Sequence, residues 1–199
     1  TRMASMTGFP RNVLVIKFSS VGDIIHALPA VSALREHWPH ARITWMVKQH
    51  MAALLEGNPD LDEVWAIDFS LRFWPGLIRK LRARSYDLVV DFQGLFRSGL
   101  VSWMSGAATR VGFIHAREGA PIFYTDQVDL PNMAGVSWRL GPMHAVDRNF
   151  ALVRHLGADP TRGIWHFPDA AADRAMIGSL LQTAGMREKD CLVAIAPWS

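Results

Sequence analysis

The feature that most constrains this chain is a rhythm: short apolar runs rich in β-branched residues, each followed by a stretch of helical periodicity. Residues 12–18 (NVLVIKF) are nearly continuous in apolar character, which is how a strand buried on both faces of a parallel sheet reads. After the turn Ser19-Ser20-Val21-Gly22-Asp23, the residues Ile24, Leu28, Val31 and Leu34 form one helical stripe. Pro29 lies too deep for a first turn, so a kink or restart is expected there. The cycle repeats with strands expected at 42–47, 63–67, 87–91 and 110–113, and helices at 51–56, 77–84 and 95–104. Residues 119–142 lose the pattern and read as loop-rich. A clear amphipathic helix follows at 144–156, stopped by Gly157, then a further helix at 170–184 and a strand at 191–196. Strands alternating with helices at this spacing predict an α/β fold, a Rossmann-like doubly wound parallel sheet with right-handed crossovers.

Composition removes other classes. In a chain of 199 residues, half hydrophobic and a fifth charged, disordered, collagen-like and low-complexity readings are excluded. Cys191 is the single cysteine, so no intramolecular disulfide forms and a reducing cytosol is the compartment expected. The formal charge of +3 is too mild to point to nucleic acid. Its distribution says more: no acid lies between Asp68 and Asp87, where Arg72, Arg79, Lys80, Arg82 and Arg84 cluster, nor from Phe92 to Arg117. Such local positive fields suit an anionic partner, although solvated helix faces account for the first stretch equally simply. No apolar run approaches the ~18 residues a spanning helix needs. Residues 1–10 carry no signal-peptide pattern and are expected to be a tag or disordered start.

In open α/β sheets, ligands sit beyond the carboxyl ends of the strands at the point where strand order reverses. The first strand delivers Lys17 and the Ser-Ser-Val-Gly-Asp turn to that edge. Gly22 offers close backbone approach or positive φ, and the following helix start offers N–H groups to an anion. The turn matches neither dinucleotide nor NTP fingerprints. Asp23 has two readings. With Ser20 it has capping-box spacing, which makes it structural. Facing the cleft, it is a general base, held ionised by Lys17 and the helix start.

Here the chain resembles a known family. Residues 17–29 (KFSSVGDIIHALP) look like the amino-terminal motif of the bacterial lipopolysaccharide heptosyltransferases, glycosyltransferase family 9. Residues 87–98 (DLVVDFQGLFRS) resemble a second family stretch. Arg110-Val111-Gly112-Phe113 with Arg117-Glu118-Gly119 and Phe123-Tyr124 resemble a third, and His144-Ala145-Val146-Asp147-Arg148 is similar to the family's His-x-Val-x-Arg helix start. Four motifs in order, spread from residue 12 to about 199, carry the likeness. It implies the amino-terminal half of a GT-B architecture, two Rossmann-like domains across a cleft. It also implies inverting transfer of heptose from an ADP-heptose donor to a lipid A-linked sugar acceptor, with Asp23 as the base that takes the acceptor's proton. No metal and no cofactor is implied, helix dipoles and basic residues being expected to stabilise the departing diphosphate. The setting implied is cytoplasmic, peripheral to the inner membrane.

Other positions follow from their place at the same edge. Gln93 and Arg97 come after the strand ending at Asp91 and are expected at the acceptor, while Asp91 itself is expected to bond backbone N–H groups of its turn. Arg117, and His144 with Arg148 one helical turn apart, join Lys17, Ser20 and Gly22 as acceptor-binding candidates. Ser199 is the single donor-side candidate. His37 and His40 lack a third ligand, so no metal site is expected. The organisation expected is an acceptor-binding domain over 11–157, a linker over 158–169 and the truncated start of a donor-binding domain over 170–199. Phe73, Trp74, Leu77, Ile78 and Leu81 are expected to pack on the sheet rather than rest on lipid headgroups. The alternative to an enzyme is a non-catalytic α/β module that binds an anionic glycolipid or a nucleotide.

Overall fold

The structure, a computed structural model, describes residues 8–69, 74–130, 143–168, 171–187 and 190–193. The chain divides into two compact units, Thr1–Pro168 and Asp169–Ser199. The first is built on six parallel strands: β1 (Asn12–Ile16), β2 (Arg42–Lys48), β3 (Glu63–Ile67), β4 (Leu88–Asp91), β5 (Thr109–Phe113) and β6 (Asp126–Val128). Their order across the sheet is β3-β2-β1-β4-β5-β6. The chain winds outward one way from β1 to β3 and the other way from β4 to β6, so the reversal falls between β1 and β4.

Both faces of the sheet are covered. Val13 and Val15 point into one core with Ile43, Trp45 and Val47, against α2 (Leu28–His37) and α5 (Ala145–His155). Leu14 and Ile16 point into the other with Met46 and Val89, against α3 (Trp74–Ala83) and α4 (Phe96–Met104). These four β1 side chains are fully buried, which is why that run is apolar without alternation. The stripe after β1 splits as Pro29 requires: α1 (Val21–Ile25) ends, and α2 restarts at Leu28 with Pro29 in its first turn, where a missing N–H costs nothing. Leu77 and Leu81 of α3 are buried against the sheet as expected, whereas Ile78, at 37% exposed, is not; Phe73 and the Trp74 side chain lie outside what is described.

Three segments differ from expectation. The short helix expected at 51–56 is a 3₁₀ helix that lies two residues earlier, over Gln49–Leu54. The loop-rich stretch holds a 3₁₀ turn (Ala120–Phe123) and β6, only three residues long, so no periodicity announced it. Residues 158–168, expected as a linker, belong to the first unit. There Pro160–Arg162 is a 3₁₀ turn, Asn58 donates to the His166 carbonyl at 2.7 Å, and the His166 ring meets Asp60 at 2.7 Å. In the second unit α6 (Ala171–Thr183) is the regular element described. Cys191–Val193, the described part of the strand expected at 191–196, is exposed and irregular. A strand needs a neighbour to pair with, and the described part of this unit offers a helix alone.

Candidate functional site

The site grows from the reversal in strand order. β1 and β4 pair in register up to Ile16 and Asp91, and Phe92 still donates its N–H to the Ile16 carbonyl at 3.0 Å. Beyond that the two strands part, and a pocket opens there. Lys17, Asp23, Arg117 and Arg148 give it a charged wall; Phe92, Phe113 and Leu130 give it an apolar one.

Lys17 is only 5% exposed. Its ammonium donates to the Phe92 carbonyl at 3.2 Å and stands 3.7 Å from Asp23 Oδ1, while its backbone carbonyl accepts from the buried Trp45 indole at 3.1 Å. Burial pulls the Lys17 pKa below its usual value, and Arg148 adds to this; Asp23 opposes it.

Asp23 caps its helix with one oxygen and turns the other toward the pocket. Its Oδ2 accepts from the Ser20 N–H at 3.2 Å and from the Ser20 hydroxyl at 3.1 Å, closing the first turn of α1. Its Oδ1 faces Lys17. The side chain is 39% exposed, so one carboxylate serves as a cap and still reaches solvent. Burial pushes its pKa up, but Lys17, the two Ser20 hydrogen bonds and Arg148 outweigh it, and the net displacement is downward. Of the N–H groups at this helix start, Asp23 takes that of Ser20, the residue that precedes α1. Gly22 has no positive φ, contrary to one of its two expected uses; a Cβ there would meet nothing within 4 Å, so it leaves open space.

The second loop is set by Asp91, fully buried at the end of β4. Its Oδ1 accepts from the Gln93 and Gly94 N–H groups at 2.9 and 3.1 Å, the structural role expected of it, and its Oδ2 accepts from the Tyr124 hydroxyl at 2.7 Å. Burial pushes both the Asp91 carboxyl and the Tyr124 phenol up. Gly94 turns the chain at φ +65°, a conformation that disfavours side chains. Gln93 lines the pocket, and its side-chain oxygen accepts from the Phe18 and Ser19 N–H groups.

Arg148 enters the wall from α5, whose start is docked by Asn149. This buried amide donates to the His26 carbonyl, at the α1–α2 break, at 3.0 Å. Burial pulls the Arg148 pKa down and Asp23 opposes it. His144 caps α5, its Nδ1 accepting from the Val146 N–H at 3.3 Å, and its ring meets His26 edge-on at 5.0 Å. It lies outside the pocket wall, as does Arg97, whose guanidinium sits 5.7 Å above the Phe69 ring. Ser199 lies outside the described residues. The sequence reading missed His115, which lines the pocket and meets Asp129 at 3.0 Å, together with Tyr124 and Asn149. Among the described residues, no group of three or more His, Cys, Asp or Glu side chains could hold a metal, and no helix is long and apolar enough to cross a membrane.

The arrangement is an ionised carboxylate beside a buried lysine and two half-buried arginines, at the edge of a Rossmann-like sheet, in a pocket that also has apolar lining. Known proteins share this fold. The chain is 25% identical over 169 residues to the lipopolysaccharide core heptosyltransferase OpsX of Haemophilus influenzae, covering 82% of this chain and 45% of that protein. It is 29% identical over 164 residues to lipopolysaccharide heptosyltransferase 1 of Salmonella typhimurium, covering 74% and 48%. The chain therefore spans less than half the length of these two relatives. Among solved structures, the Escherichia coli heptosyltransferase WaaC with ADP-2-deoxy-2-fluoro heptose superposes with a TM-score of 0.63 at 25% identity, over 77% of this chain and 51% of that one. A family 9 glycosyl transferase from Veillonella parvula, 20% identical, shares the fold with a TM-score of 0.77 over 94% and 54%. The model of glycosyltransferase family 9 (heptosyltransferase) matches residues 74–195, more than half of the chain, and the chain belongs to that family.

Proposed function

We propose that this chain is the acceptor-binding half of an inverting heptosyltransferase, with Asp23 as the general base. The observation that carries this reading is the Asp23 carboxylate at a pocket whose wall includes Lys17, Arg117 and Arg148. The acceptor is a lipid A-linked sugar whose carboxylate or phosphate meets the cations, while Phe92, Phe113 and Leu130 take an apolar ring face. In the transfer, Asp23 takes the acceptor hydroxyl's proton. The freed oxygen bonds the anomeric carbon, and the bond from that carbon to the phosphate breaks, releasing ADP. An ionised carboxylate with a lowered pKa is a weak base, so the proton leaves late, once the new bond has begun to form.

The 11–157 segment is then the acceptor domain, and the stretch from about 170 begins the donor domain that receives ADP-heptose, with Ser199 in its first diphosphate loop. The enzyme works at the cytoplasmic face of the inner membrane, peripherally. Exposed Arg79, Lys80 and Arg82 on α3, beside the part-exposed Ile78, suit an anionic surface.

Asp23→Asn tests the base in a longer protein that contains this chain. Asparagine keeps an oxygen for Ser20 and loses the basicity. ADP release from ADP-heptose with a 3-deoxy-octulosonate–lipid A acceptor is expected to fall by about 10²- to 10⁴-fold. Retention of most activity would overturn Asp23 as base. Acceptor binding with no turnover by the unaltered protein would favour a non-catalytic module.

A further inference from the structure

Gln93 lines the pocket where a contact to the acceptor sugar is expected, yet its side chain is engaged elsewhere. One oxygen meets two backbone N–H groups, those of Phe18 at 2.9 Å and Ser19 at 3.3 Å. Backbone N–H groups only donate, so the atom between them is the amide carbonyl oxygen. These bonds lie where backbone pairing between β1 and β4 has ended. The other side-chain tie there is the Lys17 ammonium on the Phe92 carbonyl. Toward β2 the Phe18 carbonyl still accepts from the Lys48 N–H at 3.1 Å, but toward β4 the backbone ladder has run out, and a side chain that supplies the missing acceptor takes over its role.

The side chain works from a fixed base. The Gln93 N–H is bonded to Asp91, which is fully buried and holds the Gly94 N–H with the same oxygen and the Tyr124 hydroxyl with the other. The loop it grips is one residue from Ser20, whose N–H and hydroxyl both hold Asp23 Oδ2. Asp91, Gln93, the 18–19 backbone, Ser20 and Asp23 thus form one continuous line of short contacts. We infer that Gln93 is a positioning residue: its amide oxygen fixes the β1–α1 loop, and through Ser20 the place of the Asp23 carboxylate, rather than binding the acceptor. The link to catalysis rests on the reading of Asp23 as base; the link to the loop does not.

Two variants separate the possibilities. Gln93→Met keeps the length and removes the oxygen. Gln93→Glu restores an oxygen that accepts from both N–H groups but has no N–H to give a sugar. In the 199-residue chain, amide hydrogen exchange at Phe18 and Ser19 is expected to quicken at least about tenfold in Gln93→Met and to return in Gln93→Glu. In the longer enzyme, Gln93→Met is expected to lower kcat by roughly 10- to 100-fold with the acceptor KM within about twofold, and Gln93→Glu to recover kcat on the pH plateau. Unchanged exchange at those amides in Gln93→Met overturns the proposal, as does a raised acceptor KM with kcat kept in both variants, the pattern of a direct sugar contact. If Asp23→Asn stays active, the base reading fails alone, and the exchange measurement still decides whether Gln93 holds the loop. Should Gln93→Met not fold, Gln93→Asn, whose oxygen falls one methylene short, is read in the same way.

Discussion

At the scale of single residues, Lys17 governs the chemistry available to Asp23. Burial favours the neutral carboxyl and Lys17 the charged one, and the balance leaves Asp23 below its ordinary value of 3.8. A carboxyl whose pKa is lowered in the folded state contributes stability that is present above about pH 4 and is lost as pH falls through the lower, native value. It also stays ionised through the neutral range. Lys17→Met removes the largest opposing influence and leaves burial in place, so the acid limb of the kcat profile is expected to move to higher pH. A pH–rate comparison in the longer enzyme checks this, and an unmoved limb counts against Lys17 as the group that holds Asp23 charged. Lys17 and Asp23 were legible in the sequence, because a strand's carboxyl end and the turn after it fix where they emerge; Arg117, in a loop, and Arg148, on a later helix, were reached through the resemblance to the family. The partner of Gln93 was not. A glutamine at a sheet edge reads equally as a ligand contact or a backbone clamp, and only the 18–19 N–H groups, 74 and 75 residues away in sequence, decide between them.

At the scale of elements, the strands long enough to be buried on both faces announced themselves, and so did the interruption before Pro29. β6 did not, since three residues are too few for a period. It still matters to the site, because the turn that leads into it places Tyr124 on Asp91. Gly112 in β5 records that contact from the other side: a Cβ there would run into the Tyr124 ring. Gly112→Ala is therefore expected to destabilise the fold by about 1–3 kcal/mol through overpacking, measured by urea denaturation. Gly22→Ala, in open space within a helical turn, is the control, with no loss expected. Equal effects of the two changes would mean that Gly112 is not a packing constraint.

At the scale of the whole molecule, the sheet and its two cores belong to the first unit, which runs to Pro168. Its end was harder to read from sequence. Pro160, Gly163 and Pro168 mark a linker by composition, whereas Asn58 and Asp60 tie His166 down. Contacts more than a hundred residues apart leave no local pattern. Residues 1–168 alone are expected to unfold in a single cooperative step at the same midpoint as the 199-residue chain, followed by circular dichroism on heating. A broad or much lower transition would show that the first unit depends on the remainder. The pocket has a further property of this kind. Its walls run from Lys17 to Arg148, inside one uninterrupted stretch of a self-contained unit. A recombination break past Pro168 therefore carries the whole pocket, with the unit that frames it, from one gene to another, and the pocket can be inherited as a single cassette.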